Sequence, residues 1–88
     1  MKMYLISDNL DTQVGMRLSG VEGCVVHDAQ HVLEELKRAA DDPEIGIVLL
    51  TEKLGKLIPD EIREMKLHNS RPLIVEIPDR HGSRDIVD

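Results

Sequence analysis

Reactive groups of this chain would gather in four polar strings that follow short apolar runs: Ser7-Asp8, His27-Asp28, Thr51-Glu52 and Pro78-Asp79. Carboxylates, hydroxyls and imidazoles are the groups that hold metal ions, bind phosphates or move protons, and each use has a spacing requirement. A phosphate-binding turn needs glycines so that backbone amides can approach the anion. The turn here, Ser7-Asp8-Asn9-Leu10-Asp11, has no glycine and two carboxylates, so it repels phosphate. His27 and His31 are four residues apart, but the first closes a strand and the second opens a helix, so their spacing does not put them on one helical face as a metal pair. His68 and His81 read as isolated loop residues, and no Ser, His and Asp arrangement has support in the sequence. The expectation is therefore no catalytic, cofactor-binding or metal-binding residue. Asp8, Asp28 and Glu52 read first as carboxylates at helix starts, where the backbone dipole favours them. Together they form an acidic rim, and in a partner interface such charge sets register and encounter rate more than affinity.

Size and composition narrow the classes further. The 88 residues fit one domain with a single sheet and its helices supplying the core. With no Trp, no Phe and one Tyr, aliphatic packing replaces aromatic anchors and base stacking is poorly provided for. Seventeen acidic against 11 basic residues give a formal net charge of -6, which repels nucleic acid. The single cysteine, Cys24, lies beside Val25 and Val26 and reads as a small core hydrophobe in a reducing, cytoplasmic setting. No apolar stretch approaches the roughly 20 residues that span a bilayer, so membrane association is expected only through partners.

The elements that must position these residues are legible in the pattern. Apolar runs over Met3 to Ile6, Cys24 to Val26, Ile45 to Leu50 and Leu73 to Ile77 are short and mostly continuous, as in parallel strands buried on both faces. Between the first two, Val14, Leu18 and Val21 recur at helical spacing, and Gly20 sits where a C-terminal cap belongs. Gly15 reads as a packing glycine that lets this helix lie close to its neighbour, and Gly46 as permitting close approach to the central strand. Ala29, Val32, Leu33, Leu36 and Ala40 form the apolar stripe of a second helix, capped by Asp28, with Glu34, Glu35, Lys37, Arg38 and Asp41 facing water and Pro43 just beyond. Pro59 splits the next helical stretch in two, the second piece presenting Ile62 and Met65. The resulting β-α-β-α-β-α-β order predicts an α/β fold: a four-stranded parallel sheet with helices on both faces, in a receiver-like (flavodoxin-like) topology.

Receiver domains share this plan, and a receiver-like signalling module is the alternative reading. Such domains resemble a constellation of paired acids after the first strand and an acceptor Asp after the third. Here Asp8 is followed by Asn9, and the third strand ends Leu50-Thr51-Glu52, so the phosphoacceptor is missing.

Three strings carry a more specific likeness: Val14-Gly15-Met16-Arg17-Leu18-Ser19-Gly20-Val21, Ile45-Gly46-Ile47-Val48-Leu49-Leu50-Thr51-Glu52, and Arg71-Pro72-Leu73-Ile74-Val75-Glu76-Ile77-Pro78-Asp79. In order and spacing they resemble the F subunit (G subunit in some bacterial operons) of V-type and archaeal A-type rotary ATPases, over residues 1 to about 82. The resemblance implies a non-catalytic rotor subunit without a cofactor, peripheral to the membrane. It would dock on the elongated D subunit of the central stalk and, through it, serve the catalytic A/B hexamer in ATP-driven or ATP-synthesising ion transport. Similar proteins continue past the last strand into a C-terminal helix; here residues 83–88 follow Gly82 as a short tail. Six residues are too few for a free helix, so 79–88 are expected to be poorly ordered alone and helical on docking. For the partner contact the expectation falls on Arg17 in the first helix and Arg80 and Arg84 in the tail, because arginine forms bidentate contacts that survive desolvation.

Overall fold

The computed structural model describes residues 1–68 and 71–78. The elements run β1 (Lys2–Ser7), α1 (Leu10–Leu18), β2 (Glu22–Val25), α2 (Ala29–Asp41), β3 (Ile45–Thr51), α3 (Glu52–Gly55), α4 (Pro59–His68) and β4 (Leu73–Ile77). The strands form one parallel sheet in the order β2-β1-β3-β4. This is the α/β architecture the pattern predicts, with strand ends shifted by a residue or two.

Local chemistry accounts for the helix boundaries. The Asn9 side chain accepts from the Thr12 amide at the start of α1, and Asp28 does the same for the His31 amide at the start of α2, at 2.8 Å. The end of α1 is a Schellman motif: Gly20 N donates to Arg17 O, Val21 N donates to Met16 O, and Gly20 takes φ +90°, which only glycine adopts without strain. Pro59 opens α4, where its missing N–H costs nothing, and so separates α4 from the short α3.

The strand order fixes which face each helix covers. Stepping from β1 out to β2 and then back across to β3 and β4, right-handed crossovers put α1 on one face and α2, α3 and α4 on the other. On the α2 face Ile6, Val48, Leu50 and Ile74 pack with Val32, Leu36 and Ala39 of α2, Leu54 and Ile62 into the main core. Leu5, fully buried, points to the α1 face and lies outside that cluster.

Cover on the α1 face fades across the sheet. The register aligns Leu5 with Leu49 and Val75, and Met3 with Ile47 and Leu73. Along the first row burial falls from Leu5 through half-buried Leu49 to exposed Val75, and at the end of the second Leu73 is 59% exposed. The expectation of strands buried on both faces thus holds for the C-terminal half of β1, Met3 toward its other end being exposed, and fails for β4, because α1 is the only helix on this face among the described residues and it lies over β1 and β2. Gly15 also departs from expectation: it is exposed, with nothing within 4 Å of where a Cβ would stand, so it brings no element close. At Gly46 the close neighbour is the flexible Met1 side chain.

Candidate functional site

The strand-end rim is occupied by its own hydrogen bonds. Ser7 is fully buried; its hydroxyl donates to Asn9 O and accepts from Asn9 N, fixing the turn into α1. Thr51, buried at the end of β3, donates to Asp8 Oδ1 at 2.9 Å, and Lys53 Nζ lies 3.9 Å from Asp8 Oδ2. The Asp8 carboxylate therefore links the ends of two neighbouring strands and faces a lysine. Ser7 and Thr51 are both enclosed, so neither hydroxyl is open to an incoming group. The end of β3 and the residue after it are Thr51 and Glu52, so no Asp stands there as a receiver-type acceptor.

The other expected rim residues are not drawn into this cluster. Glu52 is exposed in the first turn of α3, and His27 is exposed. Asp28 is committed to capping α2 and to His31 Nδ1, 2.7 Å from its Oδ2. That contact holds the Asp28 carboxyl below its ordinary value, chiefly through the His31 backbone amide and then the imidazole, and it raises the His31 imidazole in return. Asp79 lies outside the described residues. Among the described residues no three His, Cys, Asp or Glu side chains cluster closely enough to hold a metal ion, and no buried side-chain nitrogen or oxygen lacks a partner.

A second polar cluster, which the sequence pattern does not reveal, stands on the α2 face. Tyr4 Oη donates to Glu35 Oε1 at 2.8 Å, while Arg38 donates to both Tyr4 Oη and Glu35 Oε1 at 2.7 Å and lies 5.8 Å from the Tyr4 ring centroid. Glu35, expected to face water, is only 22% exposed in its side chain, unlike its neighbours Glu34 and Lys37. Its partial burial alone would raise its carboxyl, but the hydrogen bonds from Tyr4 and Arg38 outweigh this and lower it. Burial raises the Tyr4 hydroxyl, and burial pushes the adjacent Cys24 thiol up to about 11, which leaves it an unreactive thiol packed against the core. The i,i+3 spacing of Glu35 and Arg38 is a visible signal. That Tyr4, 31 residues away, lies between them depends on the sheet.

What the described surface does offer is apolar. Helix α1 has no buried residue: Leu10, Val14 and Leu18, one stripe at i, i+4 and i+8, are 64%, 46% and 86% exposed. The helix forms where the spacing predicts it, but the stripe faces outward. Arg17, in the last turn of α1, is exposed beside Leu18. Arg80 and Arg84 lie outside the described residues. On the opposite face a groove of about 950 Å³ runs between α2 and α4. No helix among the described residues is long and apolar enough to cross a membrane.

Known proteins match this chain along most of its length. The family profile described as ATP synthase (F/14-kDa) subunit matches residues 3–88. The F subunit of the A-type ATP synthase of Methanosphaera stadtmanae is 36% identical over 74 residues, covering 83% of this chain and 69% of the relative. That of Methanococcus aeolicus is also 36% identical, over 94% of this chain and 79% of the relative. The corresponding A-type protein of Methanocaldococcus jannaschii is 30% identical over 100% of this chain and 85% of its own length.

Proposed function

Because this chain belongs to the family of the ATP synthase (F/14-kDa) subunit, we propose that it is a non-catalytic central-stalk component of an A-type ATP synthase, acting by binding the elongated D subunit. The observation that carries the reading is the uneven cover of the sheet. Leu73 and Val75 of β4, with half-buried Ile47 and Leu49 of β3 beside them, lie open on the α1 face, and the Leu10-Val14-Leu18 stripe of α1 is exposed on the same side. A soluble protein seldom leaves contiguous aliphatic surface of this kind without a partner. The occupant we assign is the shaft formed by the D subunit, with Arg17 at the edge of the contact. Arg80 and Arg84 would extend the contact beyond β4.

In this reading the strand-end rim supports structure and the chemistry of ATP belongs to the catalytic hexamer. The protein stiffens the shaft, supports torque transfer during ion transport and stays on the cytoplasmic side, held to the membrane through the complex. The test is co-expression with the D subunit of an A-type ATP synthase, followed by ATPase assays of the hexamer–D assembly with and without this chain. A complex that survives gel filtration at micromolar concentration and raises the hydrolysis rate is expected. Failure to form it would sink the proposal.

A further inference from the structure

The α2–α4 groove lies on the face of the sheet opposite to the one assigned to the shaft. Its floor is aliphatic, built from buried Leu36 and half-buried Leu33, Ala40 and Met65. Its banks are acidic: Glu34 on the α2 side, and Asp60, Glu61 and Glu64 on the α4 side, against Lys37 as the basic lining residue among those described. Asp60 is engaged by Arg63 at 2.6 Å and Glu64 approaches His68 at 3.7 Å, while Glu34 accepts a 3.3 Å bond from Gln30. For Glu61 no ion pair forms among the described residues. The 13 residues of α2 and 10 of α4 make banks about 15 to 20 Å long, enough for a helix of three to four turns.

From this geometry we infer that the groove binds an amphipathic helix of a protein partner whose apolar stripe is flanked by lysine and arginine. Side chains at i, i+3, i+4 and i+7 would fill the floor, and the aliphatic stems of the basic residues would cover the remaining apolar surface while their heads reach the carboxylates. Charge decides against other occupants. A second copy brings another chain of net charge -6, and its own exposed apolar helix, α1, offers Arg17 against Asp11 with no excess of positive charge. Nucleic acid and anionic lipid carry the same sign as the banks. The inference is independent of what covers the α1 face, since the two surfaces lie on opposite sides of the sheet.

The experiment is an NMR titration of the isotopically labelled full chain with a synthetic peptide of about 14 residues, leucines on one face and lysines along both flanks. A second peptide has every lysine replaced by glutamate. The expected result is saturable shift changes confined to the α2 and α4 segments that line the groove, with no response to the acidic peptide. The exposed double variant E61K/E64K, checked for unchanged spectral dispersion, should weaken binding about tenfold, and added salt should weaken the parent in the same direction. Shifts centred on α1 or β4, equal binding of the acidic peptide, or an unchanged affinity in E61K/E64K would each overturn the inference. Concentration-dependent shifts of the same residues without peptide would assign the groove to self-association and overturn it as well. None of these outcomes bears on the D-subunit complex, which is scored separately by co-purification.

Discussion

Adjacent residues of β4 point to opposite sides of the sheet and meet opposite fates. Ile74 is 6% exposed beneath the helices of the α2 face, whereas Leu73 and Val75, equally aliphatic, lie open on the α1 face. Both sides expose aliphatic surface to water in the unfolded chain, but at β4 only the α2 side is removed from water within this molecule. The α2 face is where stability is made, and the α1 face keeps apolar surface that contributes nothing until something covers it. Near-continuous aliphatic strands on a half-covered sheet therefore point to association.

The sharpest way to break that comparison is to truncate one residue from each side and measure urea unfolding. Leu50→Ala, at a fully buried position on the α2 face, should cost about 2 to 5 kcal/mol, a large share of the stability of a domain this size. Leu73→Ala should stay within about 0.5 kcal/mol in the isolated chain. Equal losses would mean that the α1 face is covered after all.

The same contrast should reverse when the readout is binding. Leu73→Glu combined with Val14→Glu should leave unfolding nearly unchanged and weaken the D-subunit complex by about tenfold or more, since a carboxylate cannot be buried cheaply in an apolar contact. A complex of unchanged affinity would overturn the assignment of the proposed D-subunit contact to this face.

These two experiments bear on what the sequence could and could not reveal. Element order, the Asp28 cap, the Gly20 stop and the break at Pro59 are legible because each rests on a few neighbouring residues. The lack of an Asp at the end of the third strand, Leu50-Thr51-Glu52, is equally plain. The direction of the α1 stripe is not: Val14 and Leu18 at helical spacing look the same whether a sheet or a partner lies against them. Glu35 reads as a solvent-facing residue for a similar reason, because its partner Tyr4 arrives from a distant strand. The exposure of Leu73 and Val75 is hidden because β4, apart from Glu76, reads as an apolar run.

Smaller effects should distinguish the two polar clusters. Thr51→Val keeps the shape of the side chain but removes the hydroxyl that ties Asp8 to β3, at an expected cost of about 1 kcal/mol. Tyr4→Phe removes the oxygen shared by Glu35 and Arg38 and should cost about the same, with the Cys24 thiol staying unreactive toward a maleimide because its burial is unchanged. A stabilised Thr51→Val would show that the rim holds strain and would reopen the case for a functional site there.

The smallest predicted effect concerns the exposed cap of α2. His31 is raised above its ordinary value near 6.5, first by the hydrogen bond to Asp28 and then by that carboxylate's charge, so its contribution to stability is complete below 6.5 and is lost as pH rises through the folded value. Asp28 is lowered below 3.8, so its contribution is present above 3.8 and is lost as pH falls through its folded value. The pair is therefore most effective between those limits. The two partners are not equivalent, because the largest influence on Asp28 is the His31 backbone amide, which survives any change of side chain. NMR titration should accordingly show His31 falling toward its ordinary value in Asp28→Asn, while Asp28 remains lowered in His31→Ala. A full return of Asp28 to 3.8 in His31→Ala would mean that the imidazole, and not the helix cap, holds the carboxylate.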